Sequence, residues 1–192
     1  NALLMSFSQV AVALFGIYFK MQTFVFMAVS GLTQGALPIM GFNYGAKNRE
    51  RLLLTLKYSL FVAVGIMAAG CIIVEVFPAG LLRIFDASEE MIAIGVPALR
   101  ILALGYVFAA VGMMLGTLFQ AIGKGSYSLY ISLLRQLVII IPLAYLLSSV
   151  WGLVGVWISF PIAELVSIIS SVLMLKYVSG RDPILRHEMP ME

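Results

Sequence analysis

Charge is scarce in this chain: among 192 residues there are 12 Lys or Arg and 9 Asp or Glu, together 11%. Soluble domains carry about 25% charged residues, so a water-facing surface cannot be assembled from this composition. Soluble enzymes and nucleic-acid binders are thereby set aside. Cysteine occurs once, as Cys71, which makes neither an intrachain disulfide nor a multi-thiolate metal centre and leaves the redox compartment open. Histidine also occurs once, as His187 near the end. Because His187 lies alone in the polar tail, no Ser/His/Asp catalytic set or His-based ligand cluster is visible, and there is no Walker A phosphate loop. No basic leader precedes the first apolar run, and no small-residue cleavage site follows it. The chain reads as a piece of a longer protein.

Apolar sequence is abundant instead, with 62% hydrophobic residues and a mean hydropathy of +1.06. A helix needs about 20 mostly apolar residues to cross the hydrocarbon layer. Charge-free stretches run over 21–46, 58–74, 101–123 and 136–163. The last is too long for one crossing and contains Ser148-Ser149-Val150-Trp151-Gly152, which reads as a tight turn. Five crossings follow, over roughly 15–45, 52–77, 90–122, 125–148 and 152–176, with residues 1–12 as the end of an earlier helix. The expected fold is all-α: a polytopic membrane helix bundle with about five complete transmembrane helices plus the end of another.

The connections give this bundle an orientation. The first holds Lys47, Arg49 and Arg51 with Lys57 nearby; the second sets Arg83 against Asp86, Glu89 and Glu90; the third holds Lys124; the fourth is uncharged; Lys176, Arg181 and Arg186 follow the last crossing. Basic and non-basic connections alternate. Because cytoplasmic loops are enriched in Lys and Arg, the carboxyl end is placed inside, and the net charge of +3 encodes topology rather than affinity for nucleic acid. Asp86-Ala87-Ser88-Glu89-Glu90 offers a helix cap with acids in the first turn, where the positive end of the helix favours them.

Five ionisable residues fall inside crossings: Lys20, Glu75, Arg100, Arg135 and Glu164. Each costs about 2.5–3.5 kcal/mol at the membrane centre, so each needs a partner or a wet cavity. Arg135 and Glu164 are equidistant from a turn near residues 149 and 150. At 1.5 Å rise per residue both lie about 22 Å from it, so antiparallel arms place them at one depth. Glu164 shares its face with Ser167 and Ser171, and Arg135 with Ser128 and Ser132. An Arg135–Glu164 pair is expected, and the same arithmetic about residues 87 and 88 brings Glu75 toward Arg100. Two uses stay open: static ion pairs that hold hairpins together, or groups lining a polar cavity, with Glu164 binding and losing a proton. Gln22, Thr23, Gln34, Asn43, Tyr44, Gln120 and Gln136 bond between helices or contact substrate and water. The candidates for substrate or coupling are Glu164, Arg135, Arg100, Lys20, Gln34 and Gln120. The 11 Met, 12 Phe and 8 Tyr either line a pocket for greasy cations or face lipid.

Phe15-Gly16-Ile17-Tyr18-Phe19-Lys20-Met21-Gln22 is followed by Gly31-Leu32-Thr33-Gln34-Gly35-Ala36-Leu37-Pro38 and Gly41-Phe42-Asn43-Tyr44-Gly45-Ala46-Lys47-Asn48. Further along stand Phe119-Gln120-Ala121-Ile122-Gly123-Lys124-Gly125, Leu134-Arg135-Gln136-Leu137 and Phe160-Pro161-Ile162-Ala163-Glu164-Leu165. In these segments and their order the chain resembles the multidrug and toxic compound extrusion transporters, most of all the C-terminal lobe of a bacterial member. The resemblance implies two six-helix lobes around a central cavity that opens alternately to either side of the bacterial cytoplasmic membrane. Residues 1–178 would form the C-terminal lobe, from the end of helix seven through helix twelve, and 179–192 a polar cytoplasmic tail. It further implies export of small amphipathic or cationic substrates driven by Na⁺ or H⁺, no other cofactor, and the N-terminal lobe and lipid bilayer as partners. A sodium-coupled branch of the family has an acid in helix ten, whereas Leu104-Gly105-Tyr106-Val107-Phe108-Ala109-Ala110 has none. Coupling then falls to Glu164 or to the other lobe. A lipid-linked precursor flippase of related architecture and a non-transporting membrane scaffold are the alternative readings.

Overall fold

A single turn, α1 (Ala2–Met5), opens the computed structural model, which describes residues 2–186. Ser8 then stands in extended backbone, and its hydroxyl accepts a hydrogen bond from the Ala11 amide at 3.0 Å. That cap starts α2 (Gln9–Gly45), so residues 9–12 belong to the first crossing rather than to an earlier helix. The Asn48 side chain caps α3 (Arg49–Val76) through the Arg51 amide, and Ser88 caps α5 (Glu89–Ala103) through the Met91 amide. Between them lies α4 (Pro78–Ile84), a short helix absent from the sequence-based expectation and begun by a proline in its first turn. The chain continues through α6 (Gly105–Ala121), α7 (Gly125–Leu133), a π-helical segment (Leu134–Ile140) and α8 (Ile141–Ser179).

Among the described residues, four helical stretches are long and apolar enough to cross a membrane: Gln9–Gly45, Arg49–Val76, Glu89–Ala121 and Gly125–Ser179. The fourth has 55 residues and would extend roughly 80 Å if straight. It is not straight, because Gly152 has φ 57° and ψ −137°, a conformation that side chains resist. Gly155 lies so close to the Leu147 carbonyl that a Cβ there would collide. Arg135 and Glu164 would be about 43 Å apart along a continuous helix, yet they are in contact. The stretch therefore folds into two antiparallel arms at the expected turn, which gives five crossings among the described residues.

Packing gathers in two clusters. Leu14 and Tyr18 of α2, Leu99 and Leu102 of α5, Tyr106 and Met114 of α6 and Trp157 of α8 belong to one. Met40, Leu52, Leu118, Phe119, Val178 and Leu185 belong to the other. Large apolar side chains also point outward, among them Phe24 (82% exposed), Phe42 and Phe61, an arrangement that suits a lipid surround.

Beyond Ser179 the expected polar tail turns back onto the bundle. Asp182 is buried: its carboxylate accepts from the Tyr44 hydroxyl at 2.7 Å, from Lys124 Nζ at 3.3 Å and from the Ile184 and Leu185 amides. Arg49 Nε donates to the Leu185 carbonyl at 3.1 Å. The end of the last crossing is thus fastened to the ends of the first and third and the start of the second. His187 lies outside the described residues.

Candidate functional site

Helical spacing sorts small and polar residues onto inward faces before any contact is considered. Gly112, Gly116 and Gln120 recur every four residues on α6; Ser128, Ser132 and Arg135 share a face of α7 and the π segment; Glu164, Ser167 and Ser171 share a face of α8. These faces meet, with Phe26 and Thr33 of α2, around a cavity of about 350 Å³. At about 30 Å³ per molecule of liquid water, it has room for on the order of ten waters. The glycines make part of that room: a Cβ on Gly116 would stand 3.1 Å from Ser128 Oγ.

Arg135 Nη1 donates to Glu164 Oε1 on the cavity wall, with side chains 31% and 14% exposed. Arg135 sits within the π-helical turn, a wide turn often found at functional sites. Pro142, shortly after it, has no N–H to return to the preceding turn. Around the pair, Thr117 Oγ1 donates to the Met113 carbonyl and Ser171 Oγ to the Ser167 carbonyl, each at 2.8 Å. Gln120 Nε2 donates to Ser128 Oγ at 3.4 Å. Ser132 and Ser167 line the cavity, and their hydroxyls make no hydrogen bond among the described residues, which leaves both available to cavity water or a ligand. Among the described residues, Glu164 is the only acid on the wall.

The structure brings some of the sequence candidates together and leaves others apart. Arg135, Glu164 and Gln120 share the cavity. Glu75 and Arg100 approach to 3.8 Å across α3 and α5, but outside it, on a surface where they are 34% and 54% exposed. Lys20 and Gln34 are exposed on α2, outside the cavity and without a side-chain partner among the described residues. Among the described residues, the cavity holding Arg135 and Glu164 does not include Lys20, Glu75 or Arg100. Thr33, Thr117, Gly112 and Gly116 are not among the sequence-based site candidates. The four-residue recurrence of Gly112, Gly116 and Gln120 was the available signal.

Comparison with known proteins fits this architecture. The multidrug export protein MepA of Staphylococcus haemolyticus (strain JCSC1435) is 26% identical over 167 residues, covering 86% of this chain and 36% of that protein. A structure of the MATE multidrug transporter DinF-BH matches with a TM-score of 0.78 and 36% identity, over 91% of this chain and 38% of the other. An outward-facing multidrug resistance MATE family transporter of the MOP superfamily matches with a TM-score of 0.83 and 27% identity, over 90% and 40%. The chain therefore spans about two fifths of the length of these proteins, as one of two lobes would. Residues 1–146 match the MatE family, and with that match over most of its length, joined to the shared fold, the chain belongs to the MatE family of multi-pass membrane proteins.

Proposed function

We propose that the chain is one lobe of a secondary active multidrug exporter, and that its cavity trades the Arg135–Glu164 contact for a cation during alternating access. The relatives are named multidrug export proteins, and similar transporters have been solved both inward-facing and outward-facing. The observation that carries the reading is an ion pair set in a hydroxyl-lined cavity at membrane depth, rather than in a dry helix contact.

The chemistry follows from having one acid. Glu164 is neutralised by one of Arg135, a proton, Na⁺ or a cationic substrate, and the first to arrive excludes the rest. Such competition keeps coupling ion and substrate from riding in the same direction. When the two arms of the hairpin shift, Arg135 withdraws and leaves a carboxylate whose charge must be met before the lobe closes again. Ser128, Ser132, Ser167, Ser171 and Thr117 supply oxygens that solvate the incoming cation. The eight cations of the first and third connections and the carboxyl end set the Asp182 end of the lobe at the cytoplasmic face, in a bacterial cytoplasmic membrane.

The test is drug efflux by the complete transporter containing this lobe, at matched expression. Glu164→Gln keeps the shape and removes the charge, and it lowers efflux at least about tenfold, the loss of one charge-assisted contact worth about 1.4 kcal/mol. Arg135→Met also lowers efflux, by leaving Glu164 permanently in need of a cation. Unchanged efflux in both variants overturns the assignment.

A further inference from the structure

Lys20 poses a problem that the described residues do not solve. It lies 11 residues into α2, about 17 Å from the helix start. Phe15, five residues earlier, packs its ring against Trp157 and Phe160 of the last crossing, with centroids 5.7 and 5.4 Å apart. The carboxyl end of α2 meets the carboxyl end of α8 through Tyr44 and Asp182, so the two crossings run parallel. Lys20 is therefore level with Glu164, deep in the membrane, yet it is exposed and makes no hydrogen bond or ion pair among the described residues.

Every described acid that could serve it is engaged or placed elsewhere. Glu164 is held by Arg135, Glu75 by Arg100, Asp182 by Lys124 and Tyr44, and Glu89 pairs with Arg83. Glu50, Asp86 and Glu90 stand at helix ends. An exposed ammonium facing lipid is costly, so at this depth it turns toward protein or water.

The surface around Lys20 shows which. Gly16, Lys20, Thr23, Met27, Gly31 and Gln34 follow one another at intervals of three or four residues, and all six are exposed. They form one continuous stripe of small or polar residues, with Met27 between them. Beside it runs a second exposed stripe, Phe24, Ala28, Gly35, Ile39 and Phe42, whose character suits acyl chains. Small residues let another helix approach closely, and polar ones bond across the contact.

We propose that the Gly16-to-Gln34 stripe of α2 receives the other lobe of the transporter, and that this lobe brings a carboxylate to Lys20. The chain spans only 36–40% of the length of the three relatives named above, so most of such a protein lies outside it. The inference rests on the two-lobe reading above and adds to it a face, a residue and the charge of its partner.

A membrane-permeant carbodiimide tests it on the complete transporter. The reagent activates a carboxyl group, and a lysine amine in contact then displaces the urea to form an amide bond, which is located by proteolysis and mass spectrometry. The Lys124–Asp182 pair at 3.3 Å serves as the internal control. The expected product joins the Lys20 peptide to an acidic peptide outside residues 1–192, and it disappears in Lys20→Arg, which keeps efflux because a guanidinium retains the charge without the reactivity. Lys20→Glu lowers efflux at least about tenfold, and changing the linked acid to lysine restores it. A Lys20 link to an acid within this chain, or no Lys20 link while Lys124–Asp182 forms, overturns the proposal; the latter is the result for a lysine shielded by lipid phosphate. A complete protein that forms the Lys20 link and exports no drug sinks the transport reading alone.

Discussion

Removing one member of the Arg135–Glu164 pair should cost more than removing both. Glu164 is 14% exposed and Arg135 31% exposed, midway along the arms of the final hairpin. Breaking a buried pair costs about 3–5 kcal/mol because the surviving charge is left uncompensated, and a lone charge at membrane depth costs about 2.5–3.5 kcal/mol. Water in the cavity screens part of this, so about 2–3 kcal/mol is expected for Glu164→Gln or Arg135→Met alone. For a lobe of this size, with about 2–4 °C per kcal/mol, the thermal midpoint falls by roughly 5–10 °C. The double variant leaves no orphan charge and recovers to within about 1 kcal/mol of the parent. Thermal unfolding of the detergent-solubilised transporter, run for both singles and the double, gives the coupling directly. Losses that simply add in the double variant refute the reasoning. Efflux separates stability from function, because the double variant regains its midpoint but not its transport.

Three further outcomes follow from other parts of the molecule. Gly152→Ala forces a side chain into a backbone region with φ 57° and lowers stability by about 1–3 kcal/mol, read as a lower thermal midpoint. Gly116→Val fills the cavity beside Ser128 and abolishes efflux, while gel filtration still shows a folded, monodisperse protein. Burial pushes the Asp182 carboxyl up, but hydrogen bonds from Tyr44, Lys124 and the Ile184 and Leu185 amides outweigh it and hold its pKa below the usual aspartate value. Its folded-state pKa being depressed, the stability it adds is fully present above about pH 3.9 and is lost as pH falls through the lower folded-state value. Hydrogen exchange at Ile184 and Leu185 therefore keeps its full protection from pH 7 down to about pH 4, and Asp182→Ala speeds it throughout that range.

Most of the fold is legible in the positions of the charges along the sequence. Gaps between charged residues located the crossings, Ser148-to-Gly152 marked the hairpin, and counting outward from it paired Arg135 with Glu164. The stretch Asp86-to-Glu90 marked the start of α5, where the structure makes Ser88 the cap. Other features depend on contacts that no local pattern contains. Asp182 looks like part of a solvated tail until Tyr44 and Lys124, 138 and 58 residues away, are seen to meet it. The π-helical turn differs from an α-helix by a backbone register, to which side-chain periodicity is nearly blind. The start of α2 at Gln9 rests on the Ser8 cap, a single hydroxyl within an apolar run that hydropathy does not register. The cavity is a void, and Gly112 and Gly116 have the same spacing whether they admit a helix or leave room for water. Lys20 and Gln34 share a face with each other rather than with Glu164, a distinction fixed by how α2 is rotated against its neighbours.

The central claim is that Arg135 and Glu164 face a wet interior within a lobe otherwise surrounded by oil, and thiol labelling addresses it most directly. With Cys71 replaced by Ser, cysteines are placed singly at Ser132, which lines the cavity, and at Leu133, which is 44% exposed and absent from its wall. A charged methanethiosulfonate reacts with thiolate in water and hardly at all with a thiol in hydrocarbon. The account predicts rapid labelling at 132 and negligible labelling at 133 in the membrane-embedded transporter. Equal reactivity at the two positions, or an inert cysteine at 132, would contradict it.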